Sequence, residues 1–297
     1  MKYLRLKRIL ISFLYVCLTA LMLLLLSCAG KGSVDNSGSE QTIAASEEIT
    51  QTPAPTPDPD ATPATVDLSE YQEIPLPQLE PLTDGEEIAL LHTSLGIIKL
   101  RFFPGYAQKA VQNFKTHAKA GYYDGVIFYN VIENSIISSG DPEGTGTGGS
   151  SIWGQPFGPE TTPCLHHIRG ALSMIHGAEP VSQGSQFFIV ANNELGEETR
   201  TELASYKERQ NEVVAETTDG TQVPMAQVFP ERIIDRYLEE GGIPAFDLQF
   251  AVFGQVIEGF EVVDKIASVE TSQEAETMNR PLQDITIDKI TFEYHKA

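Results

Sequence analysis

From Glu87 onward the apolar residues come in short runs bounded by glycine, asparagine or charge, at 87–92, 97–102, 126–132, 171–175, 186–191 and 250–257. Runs of that length read as β-strands rather than helices. The first two flank a turn at Ser94-Leu95-Gly96. A helical pattern follows, with Tyr106, Ala110, Val111, Phe114 and Ala118 on one face and Gly121 at the exit. A short helix fits 259–267, and alternating Ile285, Ile287, Ile290 and Phe292 predict a closing strand. Many short strands with two flanking helices mean a barrel or a sandwich; periodicity does not choose between them. Between Asn192 and Gly242 the pattern changes. Residues 196–216 are charged and helix-prone, and a second helix over 230–240 starts at Pro230 and stops at Gly241-Gly242, which marks 192–242 as a helical insertion. Its acidic residues form either a solvated face or a partner-docking surface.

The N-terminal part is of another kind. Lys2, Arg5, Lys7 and Arg8 precede an uncharged run from Ile9 to Leu26, the layout of a secretory signal over 1–27. Cys28 follows Leu25-Leu26-Ser27, which resembles a bacterial lipobox and makes Cys28 the expected lipid anchor. An uncleaved anchor helix is the other reading of the same run. Either one places the chain in the cell envelope, held to the membrane on its extracytoplasmic side. Residues 28–85 are rich in Ser, Thr, Pro, Asp and Glu, with Pro53, Pro55, Pro57, Pro59 and Pro63 favouring extended backbone. Such a segment buries too little apolar area to offset ordering entropy and is expected to be a tether, reaching on the order of 40 Å as a coil. The ordered domain is then 86–297.

The net charge is −21, and −25 without the four cations of the leader. With no basic stripe, that surface excludes nucleic acid as a partner. Cys164 is the one thiol left in the folded part, so the domain stands on its core without an internal disulfide. Cys164, His166 and His167 invite a metal reading, but adjacent residues of an extended chain point to opposite sides, so neither metal nor cofactor is expected.

Five segments together resemble one family. TSLGIIKLRFFPGYAQKAVQNFKTHAKAGYYDGVIF resembles the opening of bacterial cyclophilins. GDPEGTGTGGSSIWGQPF is similar to their Gly-rich segment, GALSM to their central strand, GSQFFIV to their most distinctive motif, and FAVFGQVIEGFEVVDKIA to their last core segment. The resemblance runs from about 90 to 295 around the insertion. It implies a mainly β fold, a closed eight-stranded antiparallel barrel capped by two helices. It also implies a groove for X-Pro peptides and peptidyl-prolyl cis/trans isomerisation.

Isomerisation breaks imide resonance, a barrier of ~18–20 kcal/mol. A pocket gripping the proline ring, with a donor aimed at the proline nitrogen, favours the twisted state over both planar ones. In the family that donor is an arginine within Phe-His-Arg-Val-Ile. Here the segment reads Phe128-Tyr129-Asn130-Val131-Ile132, so Asn130 takes the catalytic position with a neutral, shorter amide. Where the family has Phe-Met and then Gln, this chain has Ser135-Ile136 and then Ser138. After GALSM come Ile175-His176-Gly177-Ala178-Glu179 in place of Ala-Asn-Ala-Gly-Pro. Gln186 matches a substrate-binding amide, Phe188 the pocket floor, and Phe246 and Phe250 later lining positions, with Leu248 altering the turn between them. Alternation puts Phe187 in the core and Phe188 in the pocket. His176 could offer a peptide its backbone or a compensating side-chain donor.

Three readings follow. The chain is an extracytoplasmic isomerase that helps exported proteins fold, slowed by Asn130. Or it is a catalytically silent module binding Pro-containing segments or a protein partner. Or it is a structural envelope lipoprotein, which the retention of Gln186 and Phe188 argues against.

Overall fold

A computed structural model of the chain describes residues 64–216, 220–275 and 277–296. The leader over 1–27 and the Cys28 anchor lie outside the described residues. The domain is built on an eight-stranded antiparallel sheet in the order β10-β1-β2-β9-β5-β6-β4-β3. Its strands are β1 (Glu87–Thr93), β2 (Gly96–Phe102), β3 (Asn130–Ile132), β4 (Ile136–Ser139), β5 (Ala171–Met174), β6 (Phe187–Val190), β9 (Val252–Glu258) and β10 (Ile287–Tyr294). β1 and β2 form the hairpin that alternation predicts, in the register Ala89↔Leu100 to Thr93↔Gly96. The inner face packs Leu91, Ile98, Leu100, Phe187 and Phe253 around Phe114 of helix α1 (Gln108–Lys119). Helix α4 (Phe260–Ala267) adds Val262, Val263 and Ile266 to the same core.

The closed barrel implied by the resemblance is not formed. The sheet is a curled half-barrel whose end strands, β3 and β10, share no ladder. Near the gap the 125–128 segment bonds to the start of β10 and the residues before it: Gly125 N–H to Ile287 O at 2.7 Å, Ile287 N–H to Val126 O at 2.8 Å and Phe128 N–H to Ile285 O at 2.9 Å, with one isolated bridge, Ile127↔Thr286. The chain then turns away, because Tyr129 N–H bonds Ser138 O and Val131 N–H bonds Asn279 O. These bonds also shorten the strand expected over 126–132 to β3.

The insertion is partly helical. Helix α2 (Glu197–Glu208) ends well before 216, and β7 (Val213–Glu216) pairs with β8 (Gln222–Pro224) where helix was expected. The β-branched pair Val213-Val214 favours that strand. Helix α3 (Glu231–Glu240) follows Pro230 and stops at Gly241, as its end signals predict. Residues 64–85, expected to belong to the tether, are structured. Thr65 bridges Glu212, and 3₁₀ turns form at Leu68–Glu70 and Pro77–Leu79. Leu76, with Ile74 and Leu79, closes a second core of Leu203, Ile233 and Ile234 from α2 and α3. A few apolar residues in an otherwise polar segment were enough to order it against the insertion.

Candidate functional site

The outer face of the sheet carries the residues singled out from the sequence. Across β3, β4, β6 and β5, Asn130 pairs with Ser138, Ser138 with Phe188, and Phe188 with Ser173. Directly opposed residues share a face, so these four form one lateral row. Phe187, one position off, lies in the inner core, as alternation requires. Phe188 belongs to a separate outer cluster with Val190 and Val252, flanked by half-buried Ile136, Ile175, Phe246 and Phe250. Ile136, Ser138, Ile175, Phe246 and Phe250, all singled out from the sequence, therefore gather around the Phe188 ring or beside it.

The cluster is aromatic and tightly ordered. Phe188 meets Phe246 at 5.8 Å and Phe250 at 5.5 Å, both edge to face, and His167 stacks on it at 5.9 Å and 15°. Edge-to-face pairs gain about 0.5–1.5 kcal/mol beyond area burial. Phe188 itself is 1% exposed, so Phe246 and Phe250 form the outer walls over the floor. The 3₁₀ turn Pro244–Phe246 presents the first wall. Leu248, next to it, adopts φ 61°, a left-handed conformation that costs a non-glycine residue roughly 1–2 kcal/mol.

The polar groups are largely engaged by the protein. Asn130 Nδ2 donates to Ser138 Oγ at 3.3 Å. Gln186 accepts from the Tyr129 hydroxyl at 2.5 Å and donates to Gly146 O at 3.2 Å and Gly148 O at 2.7 Å. A peptide carbonyl reaching Gln186 thus requires exchanging one of the two Nε2 donations. His176 stacks on Phe250 at 4.6 Å, and its ring nitrogens face Gly177 O and Gln249 O. It lines the cluster but offers no spare side-chain donor, so the compensating role is not seen.

Asp141 shapes the loop that clamps Gln186. Its carboxylate accepts from the backbone N–H groups of Glu143, Thr145, Gly146 and Gly148. Burial alone pushes this carboxyl up, but the backbone donors hold it below its ordinary value. Gly140 just before it has φ 89°, and a Cβ there would stand 2.4 Å from Ser185 O, so no other residue fits. Asp141→Ala leaves these donors unmet, at about 1–3 kcal/mol for a buried one. Hydrogen exchange at Gly146 and Gly148 should accelerate strongly while β1 and β2 stay protected.

One constellation was missed from the sequence. His166 and His167, expected to point apart, converge on Asp247: His166 Nδ1 lies 2.7 Å from one carboxylate oxygen and His167 Nδ1 3.0 Å from the other. The segment is an irregular loop before β5, not a strand, so alternation does not apply. Tyr237 donates to the same carboxylate at 2.9 Å, and Ser173 Oγ lies 3.0 Å from His167 Nε2. Since Asp247 can only accept, both imidazoles carry the proton on Nδ1, and Ser173 donates to His167 Nε2. Burial opposes the Asp247 charge, but the two imidazoles hold its pKa at about 2, while burial lowers that of His167. Asp247 is thus a buried anion, and burial favours the neutral form of the His167 ring beside it. The clue available in sequence was an Asp directly after Phe246.

A cavity of about 320 Å³ opens elsewhere, between Leu68, Tyr71 and Ile74 and the insertion residues Ala226, Pro230 and Arg232. Its lining includes none of Asn130, Ser138, Phe188, Phe246 or Phe250, so the Phe188 cluster remains the candidate site.

Comparison with known proteins agrees. The family described as cyclophilin type peptidyl-prolyl cis-trans isomerase/CLD matches residues 88–292. A Staphylococcus saprophyticus protein provisionally named a peptidyl-prolyl cis-trans isomerase is 41% identical over 215 residues, 72% of this chain and 96% of that one. A Staphylococcus aureus protein of the same name is 37% identical over 218 residues, 73% and 98% of the two chains. The crystal structure of a Cryptosporidium parvum cyclophilin type peptidyl-prolyl cis-trans isomerase, determined in the presence of the dipeptide Ala-Pro, superposes with a TM-score of 0.50 at 26% identity, covering 71% of this chain and 99% of that one. The chain belongs to the cyclophilin-type peptidyl-prolyl cis-trans isomerase family.

Proposed function

We propose that the domain binds X-Pro segments of unfolded exported proteins at the Phe188 cluster and isomerises them slowly, from a lipid-anchored position in the cell envelope. The observation that carries this reading is the row Asn130–Ser138–Phe188, which sets an amide donor beside an aromatic pocket. The proline ring enters where Phe246 and Phe250, both half-buried, yield from over Phe188. Twisting about the imide bond pyramidalises the proline nitrogen. A donor on the rim then stabilises the twisted state more than either planar one. Asn130 reaches Ser138 Oγ through a long bond and can re-aim its Nδ2. A neutral hydrogen bond is worth ~0.5–1.5 kcal/mol against ~1.5–3 for a charged one. At 1.36 kcal/mol per decade the missing charge, a difference of roughly 1–1.5 kcal/mol, costs on the order of tenfold in rate.

The internal engagement of Gln186 and the covering of Phe188 favour a second reading, a silent module that holds Pro-containing segments or a protein partner without turning them over. Exchange NMR on a short X-Pro peptide separates the two. Slow wild-type exchange that rises at least tenfold in Asn130→Arg supports the isomerase. Binding without exchange in either protein selects the module. For the anchor, a Cys28→Ala protein that still incorporates labelled lipid rules out Cys28 as the lipidated residue.

A further inference from the structure

The insertion reaches the pocket floor through an unbroken line of contacts. Tyr237 of α3 is fully buried in the second core, yet its hydroxyl leaves that core to meet both oxygens of Asp247 at 2.9 Å. Asp247 fixes His167 twice, at its backbone N–H (2.7 Å) and at Nδ1 (3.0 Å). The His167 ring lies stacked on Phe188. The exit of the insertion grips the same residue from its other side. Ile243 N–H donates to His167 O at 2.8 Å, and a Cβ at Gly242 would come within 2.6 Å of both His167 O and the Tyr237 ring. The N-terminal segment joins in, because Gln78 bonds His166 N–H and His166 O.

We propose that Tyr237 is a positioning residue of the proline pocket: through Asp247 it sets the plane of His167 and thereby holds the ring of Phe188, so that the insertion governs how readily the pocket accepts proline. The proposal rests on the reading of the Phe188 cluster as the peptide site, but the coupling from α3 to Phe188 can be read without any peptide. Packed interiors transmit small displacements because side chains interlock at high density. A ring held on one face by an imidazole loses that constraint when the imidazole is released.

The test compares Tyr237→Phe with Tyr206→Phe in the full chain. The first keeps the buried ring and removes the donor to Asp247. The second removes a hydroxyl bonded to Glu202 in the same second core, away from Asp247. In protein labelled with ¹³C-phenylalanine, the flip rate of Phe188 should rise at least fivefold in Tyr237→Phe and stay at the wild-type value in Tyr206→Phe. Titration with Ala-Pro dipeptide should show at least threefold weaker binding in Tyr237→Phe alone. An unchanged Phe188 flip rate in Tyr237→Phe, or an equal rise in both variants, overturns the proposal. A ring that responds in a protein that binds no dipeptide leaves the coupling standing and removes the isomerase reading instead.

Discussion

Phe188→Ala should unfold in urea at a markedly lower midpoint, with a loss of about 3–5 kcal/mol, and should bind no Ala-Pro dipeptide. The ring is 1% exposed and touches Phe246, Phe250 and His167, so its removal leaves a cavity that three aromatic neighbours cannot fill without leaving their rotamers. Fold and pocket are confounded in that variant. Phe188→Leu separates them: it keeps most of the volume, at a cost of about 1–2 kcal/mol, while deleting the flat surface against which His167 stacks. Dipeptide titration by chemical-shift mapping should then show binding weakened far beyond what the stability change allows. A leucine variant that binds as wild type does would move the peptide site away from this ring.

What could be read before the fold was known depended on distance along the chain. The β1–β2 hairpin, the buried face of α1 and the split of Phe187 from Phe188 are local matters of period 2 or 3.6, and the structure has all three. Strand β4 (Ile136–Ser139) went unread because Ile136-Ile137-Ser138-Ser139 is short and half polar. Its strand character comes from Phe187–Val190 beside it. The order of residues 64–85 depends on partners in α2 and α3, and composition weighs the segment alone. Closure of the sheet failed for a related reason: whether β3 meets β10 is decided by where Tyr129 and Val131 spend their N–H groups, which no pattern encodes. At the site, the positions of Asn130, Phe188, Phe246 and Phe250 were legible from the family motifs. The engagement of Gln186 was not, because its acceptors are backbone carbonyls of Gly146 and Gly148, brought near by the Asp141 loop. Asp247 was missed as their partner because it lies 80 and 81 residues from the histidines it joins.

Asp247 therefore carries the second large effect. Removing its carboxylate in Asp247→Ala orphans the N–H groups of two buried imidazoles and a buried phenol at once. At roughly 1–3 kcal/mol for each unmet buried group, and allowing for relaxation, the loss at neutral pH should be about 3–5 kcal/mol. Asp247→Asn, whose amide oxygen still accepts, should lose less. The pH dependence identifies the cause. Asp247 titrates at about 2 in the folded chain, below its ordinary 3.8, so its contribution is complete above pH 4 and disappears as pH falls through 2. That linkage is worth ~2 kcal/mol. His167 acts in a separate window. Its folded pKa is lowered by burial, so the folded state resists protonation, and stability falls as pH drops below the ordinary value of 6.5. Urea midpoints measured at pH 7, 5 and 3 should decline stepwise in wild type. The gap between wild type and Asp247→Ala should narrow as pH falls from 4 toward 2, where half of the carboxylates are protonated. A gap of constant size across that range would mean that the aspartate serves by its shape, and that its charge does not hold the two imidazoles against the pocket.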